Sequence, residues 1–153
     1  MKSILRFAFL LSLPLLLSTP ARAANVDDNL PNAQALMQLE LRAQQANPRD
    51  QCFLYTELVH VMTEMAGKQL LNGDFDQATA SLKKVNAYAL LIHMDLSSNS
   101  KRVKNAEELM HHTSYRLGEY LRKASNEDRD TLQATLKQLD QVHDELLAQV
   151  FKH

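Results

Sequence analysis

No proline follows Pro48, and the chain of 153 residues holds only three glycines, Gly67, Gly73 and Gly118. Tight turns and strand corners draw on these two residues, so the shortage suits long helices and argues against many turns. β-Branched residues do not alternate with polar ones over any run, which leaves a sheet without a source. The chain is therefore expected to be all-α.

The stops and starts predict five helices. The first runs from about Asn32 to Ala46, with Leu36, Leu39, Ala43 and Ala46 on one face. Asn47-Pro48-Arg49-Asp50 reads as an N-cap, a proline at the first helical position and an acid at the third. A second helix follows from Pro48 to Asn72, ended by Gly73 as a left-handed cap. Asp74 is expected to cap the third, with Gln77 closing a capping box. In that helix Phe75, Ala78, Leu82, Val85, Ala89, Ile92 and Leu96 recur at steps of three and four, a continuous apolar stripe.

Ser97-Ser98-Asn99-Ser100 reads as a polar loop. The fourth helix is expected from about Lys101 to Ala124, striped by Val103, Ala106, Met110, Thr113, Leu117 and Tyr120. Ser125 caps the fifth, with Asp128 in third position, and Leu132, Leu136, Leu139, Leu146 and Val150 line its inner face. Short loops make successive helices antiparallel neighbours, in a bundle or a short stack of helical hairpins. Five such stripes bury enough apolar surface to hold one domain, residues 32–153, without metal or disulfide.

Ala66, Gly73, Phe75, Ala78, Leu82 and Val85 resemble the small and large positions of a tetratricopeptide-type helical hairpin. The resemblance covers roughly residues 62–85, and no second copy stands 34 residues away, the spacing of such arrays. It implies a protein-interaction scaffold.

Residues 1–23 have the three parts of an export signal. Lys2 and Arg6 give a positive start, Phe7 to Leu17 is almost wholly apolar, and Ala21-Arg22-Ala23 offers a small-x-small cleavage site. The apolar run falls short of the ~20 residues that span a bilayer. Cleavage after Ala23 is expected, leaving a flexible stretch at 24–31 ahead of the helical domain, in a periplasmic or secreted protein with no stable membrane anchor. Of 17 Lys+Arg and 18 Asp+Glu, the signal holds three basic residues and no acidic ones. What remains carries fourteen against eighteen, a net charge of −4 before histidine. An acidic domain of this kind excludes a dedicated nucleic-acid binder and electrostatic attachment to anionic lipid.

The sharpest chemical feature is a pair of Glu-x-x-His motifs, Glu57 with His60 and Glu108 with His111. On facing helices such motifs ligate carboxylate-bridged di-iron centres, provided they point inward. Helical phase argues otherwise. Tyr55, Leu58, Val59, Met62, Met65 and Ala66 fall in one sector, which leaves Glu57, His60 and Glu64 on the opposite side. Glu108 and His111 likewise point away from Val103, Ala106, Met110 and Leu117, and the third helix contains no glutamate. Both motifs read as solvated surface pairs, and Glu107, Glu108, Arg116 and Glu119 read the same way.

His143 continues the stripe of Leu132, Leu136 and Leu139, so it is expected at the core or its boundary, hydrogen-bonded to Tyr115, Tyr120 or a backbone carbonyl. Its functional alternative is a metal or haem ligand, with one of six methionines as a second haem ligand, although no Cys-x-x-Cys-His occurs. His111 with His112, and His143 with Asp140 and Asp144, form the candidate metal-binding sets. Cys52 stands alone beside Phe53, Leu54 and Tyr55 and reads as a buried, inert thiol. With no Gly-rich phosphate loop and no Gly-x-Ser-x-Gly, the sequence points to no catalytic residue and implies no cofactor. Two functions follow: a non-catalytic exported domain that binds another protein or itself, or, alternatively, a metal- or haem-binding bundle. An apolar pocket between the third and fifth helices is the feature that would favour a ligand.

Overall fold

A computed structural model describes residues 31–96 and 101–152. Residues 1–23, read as an export signal, the stretch at 24–30 and the expected loop at 97–100 lie outside the described residues. Those described form five helices: α1 (Ala33–Gln45), α2 (Pro48–Asn72), α3 (Phe75–Asp95), α4 (Val103–Lys123) and α5 (Asn126–Val150). No helix among them is long and apolar enough to cross a membrane.

Local chemistry sets most of the boundaries. The Asn32 carboxamide oxygen accepts from the Ala35 N–H at 2.8 Å, and Asn47 accepts from the Arg49 N–H at 3.0 Å. Ser125 Oγ accepts from the Asp128 N–H and donates back to the Asp128 carboxylate. Gly73 sits at φ +82°, where the Asp74 N–H reaches the Gln69 carbonyl and the Gly73 N–H the Leu70 carbonyl. That paired closure is a Schellman motif. The expected capping box at Asp74 does not form: Asp74 makes no side-chain cap bond. A capping carboxylate needs an extended backbone behind it, and the tight glycine turn holds Asp74 at φ −86°, ψ 61°. Helix α4 begins two residues later than expected, behind Arg102 at φ +59°. The Arg102 guanidinium lies 3.5 Å over the Phe53 ring, and the Lys101 N–H bonds the Arg49 carbonyl.

The helices pack as two hairpins, α2–α3 and α4–α5, laid side by side. Pairing of His60 with Thr113 and Glu64 with Arg116 shows that α2 and α4 run parallel. Pairing of Asn86 with Thr135 and His93 with Glu145 shows the same for α3 and α5. The expectation that all successive helices are antiparallel neighbours is thus corrected at one place. Helices α3 and α4 lie on a diagonal, and Lys101, just ahead of α4, bonds Arg49 at the start of α2.

Each predicted stripe faces the core, where Leu58, Val85, Ile92, Met110, Leu117, Leu132, Leu139 and Leu146 are fully buried, as is Cys52. Phe75 is the exception. It is the first residue of α3, so its ring lies off the end of the bundle, half exposed. Helix α1 lies along α2 and is fastened through Glu40, which accepts from the Tyr88 hydroxyl and the Lys84 ammonium.

Candidate functional site

Polar side chains collect where α2 and α4 run parallel. His60 and Glu64 share one edge of α2, four residues apart, and Thr113, Arg116 and Tyr120 share the facing edge of α4. The Arg116 fork donates to both Glu64 oxygens, Nε to Oε1 at 2.8 Å and Nη2 to Oε2 at 3.0 Å. The Tyr120 hydroxyl donates to Oε2 at 2.7 Å and accepts from Arg116 Nη2 at 2.7 Å. Burial alone would raise the Glu64 pKa. The bonds from Arg116 and Tyr120 outweigh it and hold the carboxyl below its usual range. Burial and the adjoining Glu64 carboxylate push the Tyr120 phenol up to about 12.

His60 lies one turn earlier. The Thr113 hydroxyl already donates to the Leu109 carbonyl at 2.7 Å, so its oxygen accepts from His60 Nδ1–H at 3.0 Å. Burial lowers the His60 pKa. Glu64 pulls the other way, and the neighbouring His112 and Arg116 reinforce the fall. The neutral imidazole is therefore favoured in the fold.

The sequence placed Glu57, His60, Glu64 and Arg116 on solvated faces. The structure corrects this for His60, Glu64 and Arg116, which are partly buried and bonded across the seam. The reason is that α2 packs against α1, α3 and α4 together, so its covered sector is wider than one apolar stripe. Glu57 stays on the groove side, Glu108 is exposed beside Lys104, and Glu119 pairs with Arg122 of its own helix.

A second histidine pair lies between α4 and α5. The His111 and His143 ring centroids are 5.2 Å apart, and His143 Nε2 stands 2.9 Å from Glu107 Oε1. The expected His143 partners, Tyr115 and Tyr120, are not the ones used. In the antiparallel α4–α5 pair, position 143 faces the turn at 107–111, whereas Tyr120 sits farther along α4 and faces α2, and Tyr115 is exposed. Glu107 was read as a solvated charge and is instead this partner. Of the candidate metal ligands, His111 and His143 come together. His112 turns the other way and stands 5.6 Å from His60, ring to ring. Asp140 is exposed, and Asp144 Oδ1 is 3.9 Å from His143 Nδ1. Among the described residues no group of three or more His, Cys, Asp or Glu side chains is placed to hold a metal ion.

Beside the α2–α4 seam an open groove runs under α1. One part, about 310 Å³, is lined by Pro31, His60, Val61, Glu64, Lys68, His112 and Arg116. It continues past His60 and Val61 into a second part of about 430 Å³ walled by Ala35, Leu39, Arg42, Glu57 and Leu109. The groove lies on α1, α2 and α4, away from the α3–α5 interface where an open pocket would have favoured a ligand. Lys68 and Thr113 were missed because nothing in a linear pattern gives the register of two parallel helices. The one available hint was that Arg116 and Tyr120 stand four apart on α4, a spacing at which side chains meet.

The chain matches no family model, no curated protein and no solved structure.

Proposed function

We propose that the protein is exported and cleaved after Ala23, and that the helical domain acts without catalysis by binding a partner protein in its α1–α2–α4 groove. The observation that carries this reading is the groove itself. Leu39, Val61, Leu109 and Pro31 offer apolar contact, and Arg42, Lys68 and Arg116 lie along it beside the half-buried His60. The occupant that fits is a segment carrying apolar side chains flanked by acidic ones. Arg116 is bonded to Glu64, and Arg42 and Lys68 add positive charge along the groove that favours a partner carboxylate. The tetratricopeptide-like stretch and the orderly, capped helices agree with a rigid scaffold.

Two measurements test it. The extracytoplasmic protein should begin at Ala24, and a cytoplasmic protein retaining Met1 would overturn the export reading. A photo-cross-linking side chain at Val61 should give a discrete heteromeric adduct in the native host. The same side chain at exposed Lys137 of α5 should not, and Leu39→Asp should abolish the Val61 adduct. Adducts shared by both positions, or one at twice the chain's mass, would overturn the partner reading, the latter in favour of self-association.

A further inference from the structure

We propose that His60, Lys68, His112 and Arg116 form an anion site at the α2–α4 end of the groove, which receives an acidic side chain of the partner and holds it more tightly as the two imidazoles take up protons. The inference rests on the reading of that groove as a docking surface and adds what regulates the docking. His60, Glu64 and Lys68 follow one another on successive turns of α2, and His112 and Arg116 do the same on α4. All five line one cavity of about 310 Å³, in which the His60 and His112 ring centroids are 5.6 Å apart.

The charge of this cavity opposes that of the chain around it. Residues 24–153 carry fourteen basic side chains against eighteen acidic ones. Among the described residues that line the cavity Glu64 is the only carboxylate, and both Arg116 and Tyr120 donate to it. With Lys68 and Arg116 the balance is positive before either imidazole is counted. A recess of that sign attracts a carboxylate more strongly than scattered surface charges do.

The imidazoles add a part that depends on pH. His60 Nδ1–H is committed to the Thr113 oxygen, so Nε2 of the neutral ring is an acceptor and repels a carboxylate oxygen. Proton uptake at Nε2 makes it a donor and adds a positive charge. In the fold alone that proton is disfavoured: burial lowers the His60 pKa, Glu64 opposes the fall, and His112 and Arg116 reinforce it. A bound carboxylate shifts the balance back, so ligand and proton favour each other reciprocally. The other charged groups around the ring are Glu57 on its own helix and Arg42 on α1, and no described residue of α3 or α5 lines either part of the groove. At the second histidine pair Glu107 already stands at His143 Nε2, so a carboxylate of the chain itself holds the place a ligand would take.

The test titrates the blocked dipeptide acetyl-Leu-Glu-amide into the purified protein, with acetyl-Leu-Gln-amide as its uncharged counterpart, while the imidazole C–H resonances are followed by NMR. Titrations at about pH 8 and about pH 6 lie above and below the ordinary imidazole value of 6.5, and the probe stays ionised at both. Expected are saturable shifts at His60 and His112, binding tighter by about threefold or more at the lower pH, and a His60 pKa that rises when the probe is bound. The uncharged counterpart should show no such pH effect. His112→Gln alters an exposed side chain and should remove part of the effect, and His60→Gln in addition should remove the rest. Lys68→Gln should weaken binding at both pH values. No binding at either pH, equal affinity at both, shifts centred on His111 and His143, or a pH effect undiminished in the double histidine variant would overturn the proposal. The Val61 cross-link separates it from the reading beneath it. An adduct without acid-strengthened probe binding overturns the anion site alone, and acid-strengthened probe binding without an adduct overturns the partner reading alone.

Discussion

A methyl group at Gly67 would fall 2.1 Å from Cζ of Tyr120, so the phenol ring of α4 lies where any side chain on α2 would stand. Gly67 is otherwise a poor choice inside a helix, where alanine is better by ~1 kcal/mol. Here the glycine is what lets α2 and α4 approach while Tyr120 reaches Glu64. Gly67→Ala is therefore expected to destabilise by about 1–3 kcal/mol, as overpacked cores do. Replacing Tyr120 by Leu in the same chain should recover part of that loss. A denaturant-unfolding cycle of the two single variants and the double variant checks this, and additive losses would refute it.

The Glu64–Arg116–Tyr120 cluster predicts a second coupling. Arg116 is a little over one-third exposed, so solvent screens the pair and its contribution is modest despite the bidentate geometry. Glu64→Gln and Arg116→Gln should each cost about 1 kcal/mol, and together less than their sum. The strongest coupling is expected for Glu64 with Tyr120, whose hydroxyl would lose its carboxylate acceptor while remaining nearly buried.

Thr63 is fully buried on α2, and its hydroxyl has no hydrogen-bond partner among the described residues. Thr56, Thr113 and Thr135 are equally buried, and each returns its hydroxyl to the carbonyl four residues back. An unsatisfied buried hydroxyl costs about 1–3 kcal/mol, and valine has nearly its shape. Thr63→Val should thus raise stability by about 1 kcal/mol, seen as a melting temperature higher by roughly 3–6 °C. Thr113→Val should lower it, because His60 would lose its acceptor.

The five helices were legible because the information that specifies them is local. Breakers, caps and stripes at steps of three and four lie within a few residues of the structure they determine, and the stripe from Ala78 to Leu96 is buried at each expected position. The seam was not legible. Whether His60 is a solvated charge or a half-buried neutral ring depends on α4 running parallel beside it, and no periodicity encodes that pairing. The same holds for Glu107, which faces solvent on an isolated α4 and His143 once α5 is in place. Asp74 failed for a different reason: its residue type fits a cap, but the glycine turn before it fixes a backbone that does not.

The titrations of His60 and Glu64 divide the acid limb of stability into two windows. In the fold the His60 pKa lies below its ordinary value of 6.5, chiefly through burial. The unfolded chain takes up this proton first, so stability falls as pH drops through 6.5, and this loss stops growing below the folded pKa. Glu64 acts lower. Its folded pKa is below 4.5, so its contribution is complete above 4.5 and disappears as pH falls through the folded value. His60→Asn keeps an N–H near the Thr113 oxygen but cannot titrate, and should flatten the fall in stability that sets in as pH drops through 6.5. Glu64→Gln should leave that upper slope and remove part of the lower one. Denaturant unfolding measured across pH reads both slopes, and an unchanged upper slope in His60→Asn would show that His60 is not the group responsible.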